Sequence, residues 1–249
     1  ISRTFFFRNG RIDFSYLLKI NKFDKLSNFY FIKDLSLKSF ELIFNKNKEY
    51  NEESLIEYSK YWIKAQKRIK SDNKLIFFKT HNARVTIEKN KYTNQSTTNG
   101  FIYISRDPRD VAISYAKHMN KSLDFTIDYL INGQIMGKDQ IDENMPEITL
   151  NWENHFLSWQ KFTEVPSLYI RYEDLLDNTE KEIIKIADFF CKNFNLQIKN
   201  RNQKIKNILN STNFKHLKKK ESKFGFKEAR GNDGFFRVGK KQQWKKILN

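Results

Sequence analysis

The sequence predicts an α/β fold in three layers, with helices on both faces of a short parallel sheet. Three runs point to it: "LIFFKTH" (75–81), "GFIYISR" (100–106) and "SLYIRYED" (167–174). Each is continuously apolar in its body, the pattern of a strand covered on both faces. Between and after them, apolar residues recur at spacings of three and four, the helical period. Strands that alternate with helices call for parallel pairing through crossovers. A chain of 249 residues suits a single domain, here 1–249.

Taken in order, Asn9-Gly10 marks a turn. Residues 52–70 read as one amphipathic helix carrying Leu55, Tyr58, Trp62, Ala65 and Ile69. A buried strand at 75–81 follows, then a polar surface loop, "NKYTNQSTTNG" (90–100), and the second strand. Asp107 is suited to cap a helix over 108–118, and Pro108 fits its first turn, where a missing N–H costs nothing. Helices are expected at 123–133 and at 149–162, the latter with Trp152, Phe156 and Trp159 on one packing face. After the third strand, Thr179 and Glu182 have capping-box spacing at the head of a helix over 180–194. Its apolar face holds Ile183, Ala187, Phe190 and Phe194, with Cys191 read as core.

Composition narrows the function classes. No apolar run reaches the ~18 residues of a membrane span. One cysteine precludes an internal disulfide and a cysteine metal cluster, and fits a cytoplasmic setting. The four histidines, 81, 118, 155 and 216, show no metal-ligand spacing. Net charge is +17, and residues 199–249 hold +13 of it. Such a segment calls for an anionic partner or is simply a solvated lysine-rich surface.

The most informative stretch is "YISRDPRDVAISYAKH" (103–118). Ligands of open parallel sheets bind at the carboxyl ends of strands, where Arg106 stands. A helix start beside a guanidinium is an anion site, and Ser114 adds a hydroxyl from the same helix. The alternative is an Arg106 paired with Asp107 or Asp110 for structure alone.

The same stretch closely resembles the 3'-phosphate-binding motif of sulfotransferases that use 3'-phosphoadenosine 5'-phosphosulfate (PAPS). The resemblance implies that Arg106 and Ser114 hold the 3'-phosphate. "FFKTH" (77–81) resembles the family's Lys-Thr-His segment, which implies His81 as catalytic base and Lys79 as the group steadying the transferring sulfuryl. "LYIRYEDLL" (168–176) resembles the strand whose tyrosine lies against adenine, which implies Tyr172, and "STNFKHL" (211–217) resembles the Thr-Ser-Phe stretch on the nucleotide's other side, which implies Thr212 and Phe214. "FFRVGKKQQWKK" (235–246) resembles the Arg-Lys-Gly-x-x-Gly-Asp-Trp-Lys signature, bringing Phe236, Arg237, Val238 and Gly239 to the nucleotide. Arg237, Gly239, Trp244 and Lys245 match. Val238 replaces the usual lysine, and Gln242-Gln243 replace Gly-Asp.

The resemblance covers the chain from about residue 75 onward. It implies a P-loop NTPase-like sulfotransferase fold lacking the first strand and P-loop, since no Lys-Ser-Gly-Thr-Thr type loop occurs in the sequence. A fragment is therefore expected, with Ile1–Phe7 as the tail of its first helix. The implied reaction moves a sulfuryl group from PAPS to an acceptor hydroxyl or amine and leaves 3'-phosphoadenosine 5'-phosphate (PAP), with no metal. The acceptor is left open among small molecules, glycans and lipids; the resemblance implies that the loops at 82–99 and 119–148 form its pocket, and no nucleic-acid partner is expected. The rivals are a basic polyanion-binding protein, a phosphoryl-transfer relative and a non-catalytic remnant.

Overall fold

A computed structural model describes residues 9–11, 21–44, 51–69, 75–136, 144–226, 228–229 and 234–248. Ile1–Phe7 lies outside the described residues. In chain order the elements are α1 (Ile32–Leu35), α2 (Leu37–Phe44), α3 (Glu52–Ser59), α4 (Trp62–Arg68), β1 (Thr86–Ile87), β2 (Asn90–Lys91), β3 (Phe101–Ser105), α5 (Pro108–Met119) and α6 (Leu123–Asn132). There follow β4 (Gln134–Met136), β5 (Glu147–Leu150), α7 (Trp152–Gln160), β6 (Ser167–Arg171), α8 (Tyr172–Asp177), α9 (Thr179–Phe194), α10 (Arg201–Ser211), α11 (Phe214–Phe224) and a 3-10 turn at Gln243–Lys246. The fold is α/β, with β3 and β6 side by side in a short parallel sheet.

The chain divides into two compact units. The first holds residues 102–130 and 166 onward, with 1–20. Its core is Ala112, Ile113 and Ala116 of α5, Ile170 of β6, Ile183, Ile186, Ala187 and Phe190 of α9, and Ile205 and Ile208 of α10. Asp107 caps α5 by accepting from the Arg109 N–H, with Pro108 in the first turn, as the sequence predicts. The helix ends at Asn120 in the left-handed conformation that asparagine tolerates. At the head of α9 the cap is Asn178, whose side chain accepts from the Lys181 N–H. The predicted Thr179–Glu182 box does not form: the Thr179 hydroxyl donates to the Leu175 carbonyl, and buried Glu182 pairs with Lys185.

The second unit holds residues 21–101 and 131–165. Its core is aromatic: Phe29, Tyr58, Trp62, Tyr92 and Phe23 meet edge to face in a chain. Each such pair contributes ~0.5–1.5 kcal/mol beyond burial. The helix expected over 52–70 is two helices, because i→i+3 bonds from Lys60 and Tyr61 tighten the chain between α3 and α4. Residues 75–81 are half-exposed extended chain rather than a buried strand. A single parallel bridge, Lys22 to Lys79, is their ladder among the described residues, and Phe78 is exposed. Thr149 and Leu150, expected to open the helix over 149–162, instead end β5, which pairs antiparallel with β4. The loop read over 90–100 begins as β2 and buries Tyr92 and Thr93. Trp159 packs on Phe101 and Phe162, as expected of a helix-packing residue. Cys191, read as core, is partly exposed.

Candidate active site

In the first unit, one face of α5 organises the site. Asp110, Ser114 and His118 are four residues apart and so lie in a row along the helix. The C-terminal segment lies along that row. Asp110 is wholly buried and accepts from the Gln242 N–H (2.7 Å) and the Trp244 N–H (3.0 Å). Arg237 Nη2 donates to the Ser114 Oγ (2.9 Å) and carbonyl (3.1 Å). The Phe235 ring meets His118 edge-on at 5.9 Å. Arg109 lies 3.6 Å over the Trp244 ring, and its hydrogen bonds hold the Asp107 carboxyl below the usual carboxylate range.

Arg106 leaves the end of β3 toward the same segment. Its Nη2 donates to the Lys240 carbonyl (3.2 Å) and stands 3.7 Å from Asp110, so the structural pairing that the sequence allowed is present. Its guanidinium lies 4.5 Å over the ring of Tyr172, the first residue of α8. Burial pushes the Tyr172 hydroxyl up against the opposing pull of Arg106. Arg106 Nε is buried without a hydrogen-bond partner, an unsatisfied donor of a kind native interiors rarely keep. Gly239 has φ +61°, and a Cβ there would lie 2.6 Å from the Phe214 ring, so only glycine fits that approach. Phe214 in turn meets Phe236 edge-on at 6.2 Å.

In the second unit, His81 Nδ1 is 3.0 Å from Glu147 Oε2. Burial raises the Glu147 carboxyl, but the His81 hydrogen bond and the charges of His81, Lys22 and Lys79 outweigh it and leave it below its ordinary value. The His81 carbonyl receives a hydrogen bond from His155 Nε2 (3.1 Å), and burial pushes the His155 imidazole downward. Beneath His81, the buried Asp24 carboxyl accepts from Thr80, Asn82 and Tyr92. Among the described residues no cluster of His, Cys, Asp and Glu has metal-holding geometry.

Residues 18–249 match the family described as "Sulfotransferase domain". The chain belongs to that family. It is 29% identical over 147 residues to Sulfotransferase 1B1 of Canis lupus familiaris, covering 56% of this chain and 43% of that protein. It is 26% identical over 148 residues to Sulfotransferase 6B1 of Danio rerio, covering 58% and 45%. The chain thus spans less than half the length of these curated relatives. Among solved structures, it shares its fold with retinol dehydratase in complex with androsterone and inactive cofactor PAP. That likeness has a TM-score of 0.51 and 19% identity over 80% of this chain and 62% of the other.

Of the residues predicted for the nucleotide, Arg106 and Tyr172 are in contact, as are Ser114 and Arg237, and Phe214, Phe236 and Gly239. Thr212, which caps the C-terminus of α10, donates its hydroxyl to the Ile208 carbonyl. Val238 is exposed. Lys79 joins His81 around Glu147, its backbone N–H on the Asn21 carbonyl. Four acidic residues escaped the sequence reading as parts of the site. Asp110 holds the C-terminal segment, and Glu221 of α11 accepts from the Phe235 (2.6 Å) and Phe236 (2.9 Å) N–H groups. Buried Glu173 accepts from the Asp107 N–H (3.0 Å), and Glu147 partners His81. The four-residue spacing of Asp110 and Ser114 is a signal that could have found the first.

Proposed function

We propose that this chain transfers a sulfuryl group from PAPS to an acceptor hydroxyl or amine and releases PAP. The observation that carries the reading is the cluster on α5. Two guanidiniums, Arg106 and Arg237, and the Ser114 hydroxyl converge on one helix face, with a buried donor of Arg106 left unpaired. Charge-assisted hydrogen bonds from guanidinium to phosphate are the strong, directional kind that a 3'-phosphate would recruit. Tyr172 and Phe214 supply flat apolar surfaces for adenine, and Phe236 and Gly239 pack beside Phe214. Thr212, its hydroxyl engaged within α10, would contribute through contact rather than hydrogen bonding.

In the reaction, the acceptor oxygen or nitrogen attacks sulfur. The bond from sulfur to the nucleotide's phosphate oxygen breaks, and its electron pair leaves with PAP. The acceptor proton passes to His81 Nε2, a general-base step worth about 10²–10⁴-fold. Lys79 offsets charge developing on the transferring group. The exposed lysines of α11, Lys215, Lys219 and Lys223, raise the local concentration of a polyanionic co-substrate. The acceptor class is a small molecule, glycan or lipid, and cytoplasmic residence is part of the proposal, in keeping with a free cysteine, Cys191.

The test is transfer of ³⁵S from labelled PAPS to a panel of phenols, aliphatic alcohols and amines. Label should reach an acceptor with the wild-type chain and be lost in His81→Ala. A folded chain that binds PAP yet labels nothing would overturn sulfuryl transfer and leave a nucleotide-binding protein.

A further inference from the structure

We propose that Glu147 is a positioning residue that fixes the His81 ring with its proton on Nδ1 and its lone pair on Nε2. The inference rests on the reading of His81 as the general base and adds what makes it one. A deprotonated carboxylate can only accept a hydrogen bond. At 3.0 Å from Glu147 Oε2, Nδ1 must therefore donate, and the neutral ring carries its lone pair on Nε2. The tautomer that histidine ordinarily prefers in water has the proton on Nε2, so the partner reverses the default.

The contact is built into the fold rather than left to the surface. The Glu147 side chain is 12% exposed and the His81 side chain 47%, so the ring reaches solvent from a buried anchor. Glu147 begins β5. The next residue, Ile148, is tied to the His81 segment twice: its N–H donates to Asn82 Oδ1 (2.7 Å) and its carbonyl accepts from the Ala83 N–H (2.8 Å). Asn82 is itself buried. Its Nδ2 donates to Asp24 (2.9 Å), and its carbonyl accepts from Trp159 Nε1 (3.0 Å). The His155 ring holds the His81 carbonyl, so the backbone that carries His81 is fixed from a third side. The charged and titratable groups that act on the pair are Lys22, Lys79, Asp24 and His155. The His81 hydrogen bond, with the charges of His81, Lys22 and Lys79 behind it, holds the Glu147 carboxyl below its ordinary value against the cost of burial. Once Nε2 takes the acceptor proton, the carboxylate lies directly against the imidazolium.

The experiment is ¹⁵N-edited NMR of the His81 imidazole at pH 8 in the wild type, Glu147→Gln and Glu147→Ala, with His81→Asn to assign the signals. The wild type should show an unprotonated Nε2. Glu147→Gln still offers an amide oxygen to Nδ1–H and should keep that tautomer. Glu147→Ala should move the proton to Nε2. With the acceptor found in the panel, Glu147→Ala should lower kcat by roughly 10- to 100-fold, less than loss of the base itself, with little change in acceptor KM. Glu147→Gln should recover part of the loss, which a purely structural ion pair would not do. An unchanged tautomer, or unchanged kcat, in a folded Glu147→Ala chain would overturn the proposal. Full activity in His81→Ala would instead overturn the base assignment beneath it, and the NMR result tells the two failures apart. If Glu147→Ala does not fold, Glu147→Gln decides: a proton on Nε2 in that isosteric variant would overturn the proposal.

Discussion

Replacing Asp24 by asparagine should make the chain more stable at alkaline pH and leave it nearly unchanged in acid. Asp24 is fully buried and accepts three hydrogen bonds, from Asn82 (2.9 Å), Tyr92 (3.2 Å) and Thr80 (3.1 Å). Burial, with the neighbouring Glu147 carboxylate adding to it, nevertheless pushes its pKa from 3.8 to about 7. Between those values the folded chain keeps a proton that the unfolded chain releases, so this group makes stability fall as pH rises. A gap of about three pH units corresponds to roughly 4 kcal/mol, fully expressed above the folded value. The side chain in Asp24→Asn has no such titration. It keeps the acceptor for Asn82 and Tyr92, while its amide donates to the Thr80 oxygen and the Thr80 hydroxyl turns to donate to the Tyr92 oxygen, 2.9 Å away. Urea unfolding at pH 4, 6 and 8, followed through buried Trp62 and Trp159 of the same unit, measures the difference directly. The difference between Asp24→Asn and wild type should be near zero at pH 4 and grow toward about 4 kcal/mol at pH 8. A variant less stable than wild type at pH 8, or a difference that does not change with pH, would mean that the three donors outweigh desolvation and that Asp24 is not held protonated.

Asp110→Ala should release the C-terminal segment, since it removes the acceptor of two N–H groups and the partner of Arg106. Leaving these donors without their buried charge costs about 3–5 kcal/mol. The Gln242 and Trp244 amides should then exchange hydrogen faster, and PAP affinity should fall. Gly239→Ala should lower both thermal stability and PAP affinity, because its Cβ meets the Phe214 ring at 2.6 Å on a backbone with φ +61°. The conformational part alone costs about 1–3 kcal/mol, and a thermal melt with and without PAP reads it.

Local signals were legible in the sequence and long-range ones were not. Asp107 and Pro108 fix the start of α5 through the residues next to them, so that helix, the strand before it and the position of Arg106 all read correctly. The apolar face of α9 was equally plain, but Asn178 and Thr179 are both competent caps, and reach to the Lys181 N–H chose the first. The run at 75–81 has strand composition, yet a strand needs a neighbour along its length, and among the described residues it pairs only at Lys79. The break between α3 and α4 carries no glycine or proline to announce it. At the site, Arg106, Ser114 and Arg237 could be named from their motifs, whereas their long-range contacts could not. Asp110 meets partners 132 and 134 residues away, and His81 meets Glu147 across 66. Such pairings are set by tertiary packing, which periodicity and capping do not encode.

If the face of α5 recognises a 3'-phosphate, as proposed, calorimetric titration of the chain with PAP and with ADP will show it. PAP should bind more tightly than ADP, and Arg106→Ala should remove the preference, losing about 10- to 100-fold for PAP and little for ADP, as expected of one charge-assisted contact of ~1.5–3 kcal/mol. Equal binding of the two nucleotides by the folded wild-type chain, or a preference that survives Arg106→Ala, would contradict it.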